Sequence, residues 1–140
     1  MRTEIYPFPA EAEQEEGPKV SFKEFLATSE AESGSVIEGV KPSELFTTQN
    51  WLDDAKVANV LDYIEDKDPR LTEITGYLHY HTKFDRNVIV IGNGNHRALY
   101  ALISGKRIDV AIEDPRILLK ENPFRLKNLL KKYGNVFSSF

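Results

Sequence analysis

The 140-residue chain contains no cysteine, one methionine and one tryptophan, and three histidines. The absence of cysteine excludes disulfide scaffolds, cysteine-ligated zinc, iron–sulfur clusters and a cysteine nucleophile. Long hydrophobic runs are also missing: the longest β-type apolar run, Val88 to Ile91, is far shorter than the ~20 residues of a membrane span. The first residues lack the basic and then apolar pattern of a signal peptide. We therefore expect a soluble, cytoplasmic protein with no membrane partner.

The N-terminal part of the chain has few basic side chains, and the C-terminal part has few acidic ones. Residues 1–38 carry 3 basic and 9 acidic side chains, whereas residues 115–140 carry 6 and 1. The net charge of −4 argues against a protein that coats nucleic acid without specificity. The basic C-terminal segment still leaves a local DNA contact open, through Arg125, Lys127, Lys131 and Lys132. The alternative for these residues is an ordinary solvated helix face.

The length fits one domain that builds its own core. We interpret residues 1–35 as an acidic N-terminal arm, residues 36–114 as the folded domain, and residues 115–140 as a basic helical tail packed on it. Within the arm, Ser21 followed three residues later by Glu24 predicts the start of a short helix.

Apolar periodicity predicts the elements of the middle of the chain, and with them an α/β (α+β) class: a small mixed sheet with packed helices. The predicted strands are Val36–Val40, Gly76–His81, Val88–Ile91 and Ile108–Ile112. The predicted helices are Asp53–Lys67, His96–Ile103 with Gly105 as its C-cap, Ile117–Lys120, and Phe124–Tyr133 with Pro123 in its first turn.

The turn after the apolar run Val88–Ile91 carries most of the functional signal, and it contains Gly92, Asn93, Gly94, Asn95, His96 and Arg97. Free N–H groups at a helix start carry partial positive charge, and Arg97 adds a fixed charge, so we expect the loop to bind phosphate. The spacing matches neither G-x-G-x-x-G nor a Walker A loop. The alternative is a tight turn that the glycines permit, with Asn95 capping the helix.

The order of elements around this loop resembles the ParB N-terminal/sulfiredoxin-like superfamily over residues 36–114. The resemblance rests on a strand, then Asn93-Gly94-Asn95-His96-Arg97, an Ala-rich helix, Gly105 and the strand Ile108–Ile112, with Val40-Lys41-Pro42 ending the first strand. It implies a nucleotide ligand, CTP or ATP/ADP with Mg²⁺, and a DNA-linked role of the plasmid, phage or partition type.

The residues of this chain exclude some of the functions found in that superfamily. Sulfiredoxin activity is excluded because that enzyme needs a cysteine in this loop. The residues after Asp114 are too few for the helix-turn-helix and dimerisation domains of a complete ParB protein. Nucleotide hydrolysis, nuclease activity and a homodimer are left open.

The free-serine kinase branch of the same superfamily supplies an enzymatic alternative. Its motifs are similar to Lys41-Pro42-Ser43-Glu44 and to the loop ending at Arg97. The resemblance implies that Glu44 is the base for a serine hydroxyl, with His96 and Arg97 holding phosphates. Asn93 replaces the Asp of that family and can neither take a proton nor balance Mg²⁺ as a carboxylate does. A catalytically silent DNA- or protein-interaction module is therefore a third hypothesis.

The three histidines raise the question of a metal site. His79 and His81 alternate on one predicted strand and therefore share a face. If the fold brought His96 beside them, the three imidazoles would suit zinc, nickel or iron. We favour the alternative, in which His79 and His81 are two exposed histidines on an edge strand and no metal is bound.

Overall fold

The computed structural model describes residues 17–67 and 73–137 of the chain. In these residues, seven strands form one mixed sheet, and four α-helices pack around it. The predicted α/β (α+β) class with a small mixed sheet is therefore confirmed. Within the described residues, no helix has both the length and the apolar content to cross a membrane.

The strands are β1 (Lys19–Ser21), β2 (Val36–Val40), β3 (Phe46–Thr47), β4 (Glu73–His81), β5 (Arg86–Asn93), β6 (Ile108–Asp114) and β7 (Phe124–Arg125). The helices are α1 (Phe22–Thr28), α2 (Asp54–Asp66), α3 (Asn95–Ser104) and α4 (Leu130–Tyr133), and two 3₁₀ turns span Pro42–Glu44 and Leu126–Leu129. The order across the sheet is β1-β2-β6-β4-β5-β3-β7. The pairs β1/β2, β6/β4 and β5/β3 are parallel, and the other three pairs are antiparallel.

Side-chain caps start two of the predicted helices. The Oγ of Ser21 accepts a hydrogen bond from the Glu24 N–H at 3.1 Å, which caps the helix, and its hydroxyl donates to the Glu24 carboxylate at 3.2 Å. The carboxylate of Asp53 accepts the N–H groups of Ala55 and Lys56 at the start of α2. At the end of α3, Gly105 has φ +71°, and its N–H reaches back to the last turn, as predicted.

The hairpin β4–β5 divides the apolar residues between two faces of the sheet. Leu78 of β4 pairs with Ile89 of β5, and both face the main core, in which α3 contributes the fully buried Leu99. On the opposite face, Val88 and Val90 pack with Phe46 of β3. Because β5 is covered on both faces, its apolar run is continuous rather than alternating.

The C-terminal tail differs from its prediction. Residues 117–120 are not helical: the Ile117 N–H donates to the Leu78 carbonyl at 2.9 Å, and Leu118 is 87% exposed. Pro123 does not open a helix but precedes β7, which pairs with β3. The helix predicted over residues 124–133 is thus a strand, a 3₁₀ turn and one α-helical turn, anchored by the buried Leu126 and Leu129. Pairing of an edge strand has overridden local helical periodicity here.

The fold begins before residue 36, within the segment interpreted as an arm. β1 pairs in parallel with β2, and α1 buries Phe22 and Phe25 in the main core. Residues 1–16, which include most of the acidic stretch, lie outside the described residues, as does the predicted stop of α2 at Asp68-Pro69.

Two leucine substitutions test this division between core and surface. Leu99→Ala removes a fully buried side chain and should lower the free energy of unfolding by about 2–5 kcal/mol. Leu118→Ala removes the same atoms from an exposed position and should change it by less than ~0.5 kcal/mol. Urea unfolding followed by circular dichroism measures both, and equal losses would contradict the described core.

Candidate functional site

A sharp turn at Gly94 joins β5 to α3. Gly94 has φ +112°, a conformation that L side chains rarely adopt. A Cβ added there would lie 2.5 Å from Cγ2 of Ile74, a contact that real side chains do not tolerate. The position therefore requires glycine, and it brings the backbone of the loop directly against β4.

Gly94 is also the N-cap of α3, so the prediction that Asn95 caps the helix is wrong. Asn95 is the first helical residue, and its amide points back to the segment after β3: its Oδ1 accepts from the Thr47 hydroxyl, and its Nδ2 donates to Gln49 at 3.5 Å. Since glycine has no side chain, the N-cap supplies no side-chain acceptor to the first N–H groups of α3. The partial positive charge of the helix start is therefore not neutralised by the cap.

A cavity of about 400 Å³ lies between this loop and α2. Two cationic side chains and four amide side chains line it, and no acidic side chain of the described residues does. Its lining consists of the six loop residues Gly92–Arg97 together with Gln49, Lys56, Asn59, Val60 and Tyr63. The structure thus brings all six predicted phosphate-binding residues to one polar, electropositive cavity.

His96 has a different role from the predicted one. Its ring is buried, and its Nε2 accepts a hydrogen bond from the Asp53 N–H at 2.8 Å, so the proton of the neutral ring is on Nδ1. Burial lowers the pKa of His96, Lys56 lowers it further, and Asp53 raises it. His96 is therefore neutral at pH 7 and joins the start of α2 to the start of α3, so it adds no fixed charge for a phosphate.

Arg97 is anchored to the neighbouring strand. Its Nη1 donates to the Glu73 carbonyl at 2.8 Å, and its Nη2 would be 3.1 Å from a Cβ at Gly94. The Asn93 N–H is held in turn by the Thr75 hydroxyl at 3.1 Å. These bonds fix the guanidinium beside the glycine turn, where Arg97 borders the loop cavity on one side and a second cavity of about 540 Å³ on the other.

The structure separates Glu44 from the loop. Glu44 does not line the loop cavity; its carboxylate lies 3.6 Å from both Arg86 and Arg125. Arg86 begins β5 and Asn93 ends it, and these positions are about 23 Å apart at the rise of an extended strand. Glu44 therefore stabilises two arginines at the far end of the strand from the phosphate-binding loop.

Of the four predicted DNA-contact residues, Arg125 is already engaged. Besides Glu44, its guanidinium lies over the rings of Phe46, at 5.2 Å, and Phe84, at 5.0 Å. In contrast, Lys127, Lys131 and Lys132 are exposed. Lys127, Lys131 and Lys132 are thus open to solvent, while Arg125 closes a packed cluster on the sheet.

The three histidines do not meet. His79 contacts the Ile117 carbonyl and the Asn122 amide, His81 packs against Phe46 and Phe84, and His96 lies at the start of α3. Over residues 17–67 and 73–137, no group of three or more His, Cys, Asp or Glu side chains is placed to hold a metal ion. The three-histidine metal site is therefore not formed by the described fold. The expectation of two exposed histidines on an edge strand is wrong as well: His79 and His81 are buried, and β4 lies inside the sheet between β6 and β5.

His81 is the least satisfied of these side chains. Its Nδ1 is buried without a hydrogen-bond partner. Burial lowers the pKa of His81 and has the largest effect; a hydrogen bond with the Pro123 backbone raises the pKa, and the charges of His79, Lys83 and Arg125 each lower it by less. The ring is thus neutral in the folded protein and packs as an aromatic group.

Sequence reasoning missed the half of the cavity that α2 provides. Lys56, Asn59 and Tyr63 follow one another at spacings of three and four residues, so they form one stripe along the helix. This polar stripe flanks the apolar one that identified the helix. The sequence contains this stripe, but its role becomes visible only because α2 packs beside the loop in the fold.

Comparison with known proteins gives no match: no family model fits the chain, and no curated protein or solved structure is similar to it. The resemblance to the ParB N-terminal/sulfiredoxin-like superfamily therefore remains a prediction.

The two buried histidines predict a pH dependence of stability. Their folded-state pKa values lie below that of an unfolded histidine, so protons bind more readily to the unfolded chain, and stability falls as the pH drops below about 6.5. Urea unfolding at about pH 7.5 and about pH 5.5 should show a loss that His81→Gln and His96→Gln each reduce. Each variant is compared with itself at the two pH values, so a general loss of stability cancels. An unchanged loss in both variants would contradict the assignment.

Proposed function

We propose that this protein binds a phosphate-bearing small molecule, a nucleotide, in the cavity between the Gly92–Arg97 loop and α2. The observation that carries the proposal is the combination of Lys56, Arg97 and an uncapped helix start around a cavity whose described lining has no carboxylate. Helix starts and arginine side chains are common phosphate ligands in proteins. An anion entering this cavity meets the positive charge of Lys56, of Arg97 and of the start of α3.

The size and the remaining lining favour a nucleotide over a bare phosphate. A cavity of about 400 Å³ lies within the range of small-molecule sites. With the phosphate at Arg97 and the start of α3, the rest of the ligand would lie along α2. There, Asn59 and Gln49 offer amide donors and acceptors, and the half-buried Tyr63 offers a ring. Amides and aromatic rings suit the edges and faces of a base.

The same lining supports binding rather than phosphotransfer. Glu44 is at the far end of β5, Nε2 of His96 is occupied by the Asp53 N–H, and Asn93 is not a base. Mg²⁺ prefers carboxylate oxygens, and the described lining provides none. These residues therefore do not fit a magnesium ion that the protein itself holds. If a nucleotide enters with bound Mg²⁺, the amide oxygens of the lining are the groups that could contact the ion.

We also propose a DNA-linked role for the protein, which the exposed Lys127, Lys131 and Lys132 support.

A thermal-shift panel tests the proposal with CTP, ATP, ADP, GTP and inorganic phosphate, each with and without Mg²⁺. A ligand at about 100 times its Kd should stabilise the fold by roughly 2.7 kcal/mol. We expect one nucleotide to raise the Tm, and Lys56→Ala and Arg97→Ala to abolish most of that rise. Lys56 is exposed and alanine favours helix, so this variant should remain folded even if Arg97→Ala does not.

Arg116→Ala is the matched control, because it removes an exposed arginine that does not line the cavity. Its ligand-induced shift should equal that of the wild type. A flat panel with the folded wild-type protein would overturn the nucleotide-binding proposal and favour the interaction module. A shift that survives both cavity substitutions would place the ligand elsewhere.

Glu44→Gln separates binding from the kinase alternative. The Glu44 side chain is about 32% exposed, and its carboxylate lies 3.6 Å from each of the two arginines, so we expect an unchanged nucleotide shift and a stability loss below ~1 kcal/mol. The measurement is the same panel with free serine added, together with an assay for consumption of ATP or ADP. Serine-dependent consumption in the wild type that Glu44→Gln abolishes would show that the protein is a phosphotransferase.

A further inference from the structure

A second electropositive site lies at the opposite end of α3 from the nucleotide cavity. Val40 of β2 pairs with Ile108 of β6, so Lys41 and Arg107, which follow and precede that pair, face each other at the end of the ladder. Lys106 comes next along the chain, just after the C-cap Gly105. All three cations line one cavity of about 310 Å³, together with Ser43 and the last turn of α3.

These cations lack compensation from acidic groups. No carboxylate of the described residues lines the 310 Å³ cavity, and Lys41, Lys106 and Arg107 form no ion pair within residues 17–67 and 73–137. Nη1 of Arg107 donates to the Gly39 carbonyl at 2.8 Å, which fixes the guanidinium but does not neutralise its charge. Like charges placed opposite each other across strands are destabilising.

Two neighbouring groups carry negative charge that could neutralise the three cations, and neither is sufficient to do so. The carbonyl end of α3 carries a partial charge of about −0.5, which attracts cations but offsets less than one of the three. An adjoining cavity of about 500 Å³, shared by Lys41 and Arg107, contains Lys23, Glu38 and Glu44. Since Glu44 is bound by two arginines, Glu38 alone faces three cations there.

The basic tail extends this surface. The Leu126 N–H donates to the Leu45 carbonyl at 2.8 Å, which places the second 3₁₀ turn beside the segment that follows Lys41. Phe137 packs on Tyr100 with ring centroids 5.4 Å apart, and Lys106 lies 5.8 Å from the centroid of that tyrosine. The exposed Lys127, Lys131 and Lys132 lie between these two contacts, on the second 3₁₀ turn and α4. The segment that carries them is therefore packed beside the cavity.

We propose that Lys41, Lys106 and Arg107 form a phosphate-binding site for a nucleic-acid backbone, and that Lys127, Lys131 and Lys132 continue its contact. These cations come from the ends of β2 and β6 and, in the tail, from the second 3₁₀ turn and α4, so they offer several separate contacts to a ligand with repeated phosphates. Among the described residues, no aromatic side chain lines this cavity, and the nearby Tyr100 packs against Phe137 and Lys106. The site therefore contacts the backbone without reading sequence. The site is independent of the proposed nucleotide cavity.

Fluorescence anisotropy with a labelled DNA duplex of about 20 base pairs, and with one of its strands, tests the site between about 50 and 200 mM salt. The wild type should bind, and its affinity should fall steeply with salt. In the double variant Lys41→Gln, Lys106→Gln, the slope of log K against log salt should become shallower by about 2, one unit for each lost phosphate contact. The matched control Arg116→Gln, Lys120→Gln removes the same charge from exposed positions outside the cavity and should keep the wild-type slope.

Several results would overturn the proposal: no DNA binding by the wild type at the lowest salt, or equal slopes in the double variant and the control. Displacement of the DNA by millimolar inorganic phosphate at constant ionic strength would show a site for single small anions. Binding to phosphatidylserine vesicles without binding to DNA would show a membrane-surface site. Lys56→Ala, which should remain folded, tests independence: it should abolish most of the nucleotide shift and leave DNA binding intact. Both double variants should remain folded, and the Tm of Lys41→Gln, Lys106→Gln should equal or exceed that of the wild type because the substitutions relieve like-charge repulsion.

Discussion

The close approach of Gly94 to Ile74 is the constraint on which the candidate site depends. Any side chain at position 94 would collide with β4, and the positive φ there turns the chain directly from β5 into α3. This turn places the start of α3 beside the end of β5, leaves the helix without a side-chain cap, and brings Arg97 within reach of the Glu73 carbonyl. The electropositive cavity is therefore a consequence of how a helix must leave this sheet.

His96 connects the start of α3 to α2, which forms the other wall of the cavity. Its neutral ring accepts the Asp53 N–H, so the first turn of α2 is held against the first turn of α3. Asp53 in turn caps α2 with its own carboxylate. One buried imidazole and one cap thus orient the α2 stripe that carries Lys56 towards the loop. The cost is a histidine that cannot take a proton without losing this bond, which links the shape of the cavity to pH.

Local signals predicted the elements whose patterns were complete in the sequence. The capping residues Ser21 and Asp53, the C-cap Gly105 and the apolar run of β5 all act over a few residues, and each lies where its pattern indicates. The tail could not be predicted in this way. Its apolar residues fit a helix, but Phe124 is held by an edge pairing with Thr47, 77 positions earlier in the chain.

The same distinction applies to the sites. The Gly92–Arg97 loop is contiguous, so its chemistry was visible in the sequence, whereas the contribution of α2 and the separation of Glu44 depend on how distant segments pack. The motif Lys41-Pro42-Ser43-Glu44 shows this most clearly, because its sequence resemblance favoured a catalytic base. In the fold, its glutamate pairs with arginines, and its lysine joins Lys106 and Arg107 instead.

The two electropositive sites differ in how they arise from α3. At its start, the helix itself supplies positive charge through unbonded N–H groups, so a small number of side chains is enough to bind an anion. At its end, the helix presents carbonyl oxygens, which repel anions, so three side-chain cations are needed to reverse the sign of the field. The first arrangement is enclosed and suits a small ligand held in one orientation. The second is open at Gly105, where an added Cβ would meet nothing within 4 Å, and suits a long polyanion that passes across the surface.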